Sequence, residues 1–287
     1  MVSIKVNETK PQFEIVQEGT AEWISPQFLT QFFPLGEGSA ARQIAYLIRG
    51  GRGGVENRPG LVWLGGFRSN MRSIKASFLD QYAAEAGRAY LRFDYSGHGE
   101  SGGDFKDATI GMWLEESLIL LRRLTNGPQI LIGSSMGGWL ALLAARALAA
   151  SGELERLAGL VLIAPATDFT QKLIWDAMPM EARATMREKG VWLRPSRYAP
   201  EPDPITARLI EEGRNHLLLD AGTIRTHCPV HILQGMQDED VPWRHAMVLV
   251  EHLHGDPVTL ALVKDGDHRL SRDEDLARLR EAVEGMG

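Results

Sequence analysis

The chain has 287 residues, a length that single-domain α/β enzymes commonly reach, so length alone does not require two domains. Hydrophobic residues make up 44% of the chain and charged residues 24%, and this ordinary composition excludes collagen-like, coiled-coil and low-complexity proteins. The formal net charge of −6 provides no general positive field for a polyanion, which disfavours nucleic acid as a partner.

The cysteine content and the terminal segment indicate the kind of compartment. Cys228 is the single cysteine, so it forms no intrachain disulfide and builds no structural zinc site by itself. Met1–Lys10 lacks the apolar run of a signal peptide, and Arg146 interrupts the apolar stretch Trp139–Ala150. We therefore expect a soluble, cytoplasmic protein without a transmembrane segment.

Short apolar runs alternate along the chain with longer segments of helical periodicity. The apolar runs predict strands at Gln43–Ile48, Leu61–Leu64, Ala89–Phe93, Gln129–Ile132, Leu160–Ile163, Val230–Leu233 and Val258–Val263, with one or two edge strands around Phe13–Gln17. The periodic segments predict helices at Ser73–Ala86, Ile110–Leu124, Met136–Ala150, Arg244–His254 and Asp273–Val283. Such βαβ alternation predicts one α/β domain spanning 1–287, with a mostly parallel central sheet, helices on both faces and ligand chemistry at the carboxyl ends of the strands.

The alternation is interrupted once, between Pro165 and Cys228, where we find no clear strand. Four prolines within residues 195–204 preclude one continuous helix there. A structureless loop of this length is rare in a compact domain, so we predict a small helical insertion at about 165–228 that forms a lid over the strand ends.

Apolar residues of the insertion suggest two roles. Trp175, Met178 and Trp192 provide an adaptable apolar surface that would suit an acyl pocket. The same residues would equally suit the insertion's own small core. A lid needs an apolar face toward the site, so the two roles are compatible.

The strongest local motif is the G-x-S-x-G segment at residues 133–137, which follows an apolar strand and opens a helical segment. Glycines two residues to either side of Ser135 permit the sharp turn that exposes a nucleophile between strand and helix. The free N–H of Met136 at the helix N-terminus is a candidate oxyanion donor. A glycine-rich turn with a capping serine is the alternative interpretation.

A serine nucleophile requires a histidine base and a carboxylate that orients it. Asp238 lies in the loop after Val230–Leu233, and His268 lies in the loop after Val258–Val263, so all three side chains are expected at one edge of the sheet. Asp240 is an alternative acid, although its position before Pro242 also suits helix capping. The other seven histidines have no further mark of a base.

The loop after Leu61–Leu64 begins Gly65-Gly66-Phe67, and its two glycines would bring the Phe67 N–H close to the nucleophile as a second oxyanion donor. We interpret residues 92–101 as a structural turn, with Asp94 fixing the turn and His98 packing beside the site. Histidine and cysteine spacings predict no metal site, and we expect no cofactor.

With these residues in place, the chain resembles the α/β-hydrolase superfamily over nearly its whole length. The resemblance is closer to the branch of mitochondrial α/β-hydrolase domain proteins described as palmitoyl-protein thioesterases and acyl-glucuronide esterases. The segments that carry it are residues 64–67, 69–71, 92–97, 127–135, 189–192, 241–243 and 267–269. It implies that nucleophile, acid and base fall on Ser135, Asp238 and His268. Met1–Lys10 contains no arginine and does not resemble a transit peptide, so we expect a bacterial or processed protein.

We therefore predict a serine hydrolase that cleaves carboxylic esters or thioesters through an acyl-enzyme on Ser135. Its substrate is expected to be a small-molecule ester or thioester, or an acylated protein. Acyl transfer or peptide hydrolysis by the same three residues is an alternative, and so is a non-catalytic protein that binds a small molecule beneath the insertion. The sequence does not predict the acyl chain or the oligomeric state.

Overall fold

A computed structural model of the chain describes residues 3–6, 13–17, 20–24, 29–38, 41–51 and 58–286. Near the N-terminus, β1 (Ser3–Val6), β2 (Phe13–Gln17) and β3 (Thr20–Ile24) form a small antiparallel sheet in the order β1-β2-β3. The strand expected at Phe13–Gln17 is therefore present, but it is the central strand of a separate sheet rather than an edge strand of the main one.

Ten further strands follow along the chain. They are β4 (Gln31–Leu35), β5 (Arg42–Arg49), β6 (Gly60–Leu64), β7 (Tyr90–Phe93), β8 (Gln129–Ser134), β9 (Leu157–Ile163), β10 (Val191–Arg194), β11 (Asp203–Thr206), β12 (Val230–Gly235) and β13 (Val258–Val263). Eight of them form the main sheet in the order β13-β12-β9-β8-β6-β7-β5-β4. Only the β4–β5 and β5–β7 pairs are antiparallel, so the prediction of a mostly parallel sheet is confirmed.

Seven α-helices accompany these strands within the described residues. They are α1 (Ile74–Ala86), α2 (Ile110–Leu124), α3 (Met136–Ala150), α4 (Met180–Lys189), α5 (Ala207–Gly213), α6 (Trp243–His252) and α7 (Asp273–Glu284). Alternate residues of a strand point to opposite faces of a sheet, and β6 shows the consequence. Leu61 and Trp63 pack in one buried cluster with α1 and α7, whereas Val62 and Leu64 pack in another with α2 and α3. Both faces of the sheet are thus covered by helices.

Helix α3 is the most deeply buried of the helices beside the site. Eleven of its residues are buried, including Trp139 and Leu140, because the helix packs against β8 and β9 on one side and α2 on another. A helix that is apolar on most sides belongs in a protein core.

Within the described ranges, every helix falls short of the length or the apolar character that a bilayer crossing requires.

The insertion between β9 and β12 is mainly helical, as expected, but it also contains a strand pair that the sequence interpretation missed. It consists of a π-helical segment at Thr170–Trp175, then α4, β10, β11 and α5. Strands β10 and β11 pair with each other antiparallel, and Pro204 lies opposite Leu193. Proline favours extended backbone at its own and the preceding residue, so the prolines that preclude a continuous helix here also permit this hairpin.

Candidate active site

Ser135 lies at the sharp turn between β8 and α3. Its backbone has φ 55° and ψ −117°, a strained conformation for a residue with a side chain. The close approach of strand and helix requires the motif glycines, because a Cβ on Gly133 would overlap the Gly137 carbonyl and a Cβ on Gly137 would overlap the Leu64 carbonyl. The Ser135 N–H donates to the Ile163 carbonyl at 2.8 Å, which ties the turn to the next strand.

The structure brings Ser135, His268 and Asp238 into one chain of hydrogen bonds. His268 Nε2 lies 3.1 Å from Ser135 Oγ, and His268 Nδ1 lies 2.8 Å from Asp238 Oδ2. Because a carboxylate only accepts, we assign the imidazole proton to Nδ1, which leaves the Nε2 lone pair facing the hydroxyl. The three residues follow β8, β12 and β13, whose carboxyl ends meet at one edge of the parallel sheet.

The Asp238 carboxylate is fully buried and is held by several donors besides His268. Its Oδ1 accepts the N–H groups of Asp240 and Val241 at 2.9 and 2.8 Å, and its Oδ2 accepts the side-chain amide of Gln234 at 3.2 Å. These bonds hold the carboxylate so that Oδ2 points at the imidazole.

The alternative acid, Asp240, is engaged elsewhere. Its carboxylate accepts a hydrogen bond from the Tyr198 hydroxyl and lies 3.5 Å from the Arg194 guanidinium. Helix α6 begins after Pro242 without a side-chain cap, so the capping role considered for Asp240 is not found.

Ligating atoms of Asp238, Asp240 and His268 lie within 4.8 Å of one another, a group able to hold a cation. Each of the three side chains already has a protein partner.

The two predicted oxyanion donors belong to two segments that lie next to the nucleophile, the start of α3 and the loop after β6. Met136 is the first residue of α3, so its N–H has no acceptor within the helix. Phe67 lies in the loop after β6, directly after Gly66, where an added Cβ would be only 3.4 Å from Ser135 Cβ. The Phe67 ring packs edge-on against three aromatic rings, Phe105, Trp113 and Phe169.

The turn after β7 contacts this loop. The Asp94 carboxylate accepts the Met71 and Glu100 N–H groups, and burial raises its pKa. The His98 side chain is buried, and its Nε2 accepts the Arg68 N–H at 3.1 Å. The segment interpreted as a structural turn therefore also supports the loop next to Ser135.

A cavity of about 510 Å³ opens on Ser135 and His268. Its basic members are Arg68, Arg72, Lys75 and Arg269, and no carboxylate occurs among the described residues that line it. The rest of its lining consists of Trp63, Gly66, Phe67, Ser69, Asn70, Ser73, Ile74, Ser134, Tyr198 and Ser271. The cavity beside the nucleophile therefore combines apolar and polar groups, and all of its charged lining residues are basic.

Two of these cations, Lys75 and Arg269, lie close together at the loop that carries His268. Lys75 Nζ donates to the Arg269 carbonyl, and burial lowers the pKa of this lysine to about 8. The Arg269 guanidinium lies 4.7 Å from the ring centre of Tyr198, and no carboxylate pairs with it among the described residues. The sequence interpretation missed Lys75 and Tyr198, which belong to no motif, and Arg269 appeared there only within the segment 267–269 that carries the family resemblance.

The three residues predicted to line an acyl pocket lie elsewhere. The Trp175 ring is flanked by the guanidinium groups of Arg183 and Arg214, at 5.1 and 5.3 Å from its centre. Met178 is buried in the hydrophobic core, and Trp192 packs against that core. None of the three lines the cavity at Ser135. The structure thus corrects the pocket assignment, because these side chains pack in or against the main hydrophobic core instead.

Comparison with known proteins gives the family. Residues 57–282 match the model of the Alpha/beta hydrolase family. The chain belongs to the α/β-hydrolase family. A putative hydrolase from Agrobacterium vitis S4 has a similar structure, with a TM-score of 0.86 and 49% identity over 90% of this chain and 98% of that one.

Within the α/β-hydrolases, the curated relatives belong to one branch. The mitochondrial palmitoyl-protein thioesterase ABHD10 of Mus musculus is 39% identical over 76% of this chain and 71% of its own length. The Homo sapiens protein of that name is 34% identical over 79% of this chain and 72% of its own length. The structure of the mouse protein matches with a TM-score of 0.77 and 35% identity over 89% of this chain and 97% of that one.

These relatives also correct one prediction. The ABHD10 proteins from all five organisms are named as mitochondrial, which contradicts the cytoplasmic localisation expected from composition and the single cysteine. Composition and cysteine content reflect solubility and redox environment, and neither distinguishes the cytosol from the interior of an organelle. The localisation prediction was therefore wrong.

Proposed function

We propose that the protein hydrolyses carboxylic esters and thioesters through an acyl-enzyme on Ser135. The observation that carries this proposal is the hydrogen-bonded series Asp238, His268 and Ser135, with distances of 2.8 and 3.1 Å. Relatives named as palmitoyl-protein thioesterases support the thioester part of the proposal, and they make acylated proteins a candidate substrate class.

In the proposed reaction, His268 Nε2 takes the hydroxyl proton as Ser135 Oγ attacks the acyl carbonyl. The oxyanion of the tetrahedral intermediate accepts hydrogen bonds from the Phe67 and Met136 N–H groups. His268 then gives its proton to the departing alcohol or thiol, and Asp238 stabilises the imidazolium between these steps. Water repeats the sequence and releases the carboxylic acid.

The cavity supports a substrate that carries an acidic group near the bond to be cleaved. Four basic side chains line it; Arg68 and Arg72 form ion pairs with Asp203 and Glu100, which leaves Lys75 and Arg269 to meet a substrate. A guanidinium forms paired, charge-assisted hydrogen bonds with a carboxylate or a phosphate. Arg269 is the first choice for this contact, because it follows His268 directly and forms no ion pair among the described residues.

The proposal is tested with Ser135→Ala and a matched control, Ser151→Ala, at the other end of α3. We expect Ser135→Ala to lower kcat on a p-nitrophenyl ester and on an acyl thioester by about 10⁴- to 10⁶-fold, with Ser151→Ala unchanged. Mass spectrometry should place a fluorophosphonate label on Ser135. Full activity in Ser135→Ala would show that another group is the nucleophile.

A further inference from the structure

The loop between β6 and α1 carries the proposed oxyanion donor Phe67, and its backbone needs external support. Arg68, the next residue, has φ 55°, a left-handed conformation that is unfavourable for a residue with a side chain. Within the loop, the Ser69 N–H donates to the Gly66 carbonyl at 3.0 Å. A strained loop with few internal bonds keeps one conformation only when its surroundings hold it.

The turn after β7 provides these external contacts. Asp94 accepts the Met71 N–H at 2.6 Å at the far end of the loop. His98 Nε2 accepts the Arg68 N–H at 3.1 Å, so it fixes the peptide unit that joins Phe67 to Arg68. Of these two contacts, only the one from His98 reaches the residue next to the proposed oxyanion donor.

The His98 ring is itself held in place. Its centre lies 5.1 Å from the Phe105 and Trp113 rings and 5.5 Å from the Tyr95 ring, all in edge-to-face geometry. Its Nδ1 lies 3.3 Å from the Ser96 carbonyl. A proton on Nδ1 therefore has an acceptor, and Nε2 keeps a lone pair for the Arg68 N–H.

We propose that His98 is a positioning residue for the hydrolytic reaction: by accepting the Arg68 N–H, its imidazole fixes the loop that presents the Phe67 N–H to the oxyanion. This inference rests on the proposed function of Ser135. Burial lowers the pKa of His98 to about 4, which agrees with a neutral ring that accepts at Nε2. His98 touches no reacting atom and acts through the backbone of Arg68.

The test compares His98→Leu, which removes the acceptor, with His98→Gln, whose amide oxygen can replace it. The control is His245→Leu, which removes a different imidazole contact, the one between His245 Nε2 and the Thr167 carbonyl at 2.8 Å. Kinetic constants are expressed per competent site, counted by complete labelling with a fluorophosphonate. This correction removes any loss caused by unfolded protein.

We expect His98→Leu to lower kcat per labelled site by about 10- to 100-fold, less than the 10²- to 10³-fold loss of a complete oxyanion donor, with KM changed by less than about threefold. His98→Gln should recover most of this loss. The inhibition constant of a trifluoromethyl ketone, which mimics the tetrahedral state, should weaken in His98→Leu by the same factor as kcat/KM. A purely structural role would reduce the number of labelled sites and leave both per-site values unchanged.

A measurement on the wild-type protein covers the case in which His98→Leu does not fold. A long-range proton–nitrogen NMR spectrum at pH 7 should show His98 protonated on Nδ1 and unprotonated on Nε2. A proton on Nε2, or a wild-type kcat per site in His98→Leu, would overturn the inference. Failure of the proposed function is distinct, because the wild-type protein would then show neither esterase activity nor a label on Ser135.

Discussion

Asp238 and Asp240 carry the same carboxylate two residues apart, yet their partners differ. Asp238 is fully buried, accepts two backbone N–H groups and binds His268 Nδ1 at 2.8 Å. Asp240 binds Tyr198 and lies near Arg194 on the insertion. At the scale of the residue, hydrogen-bond partners rather than residue type support Asp238 as the acid that orients the base.

Replacing each carboxylate by its amide tests this assignment. Asp238→Asn should lower kcat by about 10³- to 10⁴-fold, because an amide favours the wrong imidazole tautomer. Asp240→Asn should retain kcat within about tenfold, since its carboxylate does not contact the imidazole. Both variants are measured on the same ester with labelled sites counted, and the opposite order of losses would assign the role to Asp240.

Protonation of His98 makes the free energy of unfolding depend on pH between about 4 and 6.5. Its folded-state pKa is about 4, below its ordinary value of 6.5, so between these values the unfolded chain binds more protons. The His98 contribution is therefore complete above pH 6.5 and declines as pH falls toward 4, by up to about 1.4 kcal/mol per pH unit.

The measurement is urea unfolding of wild-type protein and His98→Gln at several pH values between 4 and 7. The difference between their free energies of unfolding should shrink as pH falls, because the variant lacks the titrating group. A difference that stays constant over this range would show that the folded-state pKa of His98 is not depressed.

At the scale of the element, the β10–β11 hairpin contacts two loops of the site, the one that carries His268 and the one that carries Arg68. Tyr198, in the hairpin loop, stacks on His268 with ring centres 6.2 Å apart and an interplanar angle of 29°. From the loop after β6, the Arg68 guanidinium donates to the Pro202 carbonyl at 2.9 Å and lies 3.4 Å from Asp203. These contacts support our proposal that the insertion acts as a lid.

Tyr198→Ala tests whether the hairpin belongs to the working site. Loss of the ring removes one wall of the cavity, so we expect KM to rise by about tenfold with kcat within about threefold, while Tyr198→Phe changes less. Tyr46→Phe is the matched control, because its hydroxyl bonds Gln31 on the β4–β5 edge of the sheet. Unchanged kinetics in Tyr198→Ala would argue that the hairpin does not contribute to substrate binding.

At the scale of the whole molecule, the charge of the cavity differs from that of the chain. The chain has a formal net charge of −6, yet the residues that line the cavity include four cations, of which only Arg68 and Arg72 form ion pairs among the described residues, with Asp203 and Glu100. A cleft lined by one sign of charge focuses the field and attracts ligands of the opposite sign. The surface as a whole therefore repels an acidic substrate weakly, while the cavity attracts it.

Two aryl esters with the same acyl group, one of them with a remote carboxylate on the leaving group, test this contrast. Arg269→Gln should lower kcat/KM for the acidic ester by about tenfold and leave the neutral ester nearly unchanged. Raising the ionic strength should weaken only the acidic ester's kcat/KM. Arg244→Gln, on the Trp243 ring away from the cavity, is the control. Equal losses for both esters would show that Arg269 does not recognise charge.

Much of the fold could be predicted from the sequence, because local patterns of apolar residues indicate strands and helices. Apolar runs matched the core strands, and the predicted helix Met136–Ala150 was confirmed as α3. The G-x-S-x-G motif and the positions of Asp238 and His268 after parallel strands were sufficient to predict that these side chains share one edge of the sheet. Such a prediction needs only strand direction, which βαβ alternation specifies.

Only the tertiary structure decided what surrounds those side chains. The Tyr198 hydroxyl donates to Asp240, which is 42 residues away in the sequence. Lys75 Nζ donates to the Arg269 carbonyl, which is 194 residues away. The same long-range packing places Trp175, Met178 and Trp192 in or against the main hydrophobic core and leaves a cavity with basic lining residues at Ser135. Local periodicity carries no information about which distant loops meet, because that depends on the packing free energy of the whole folded chain.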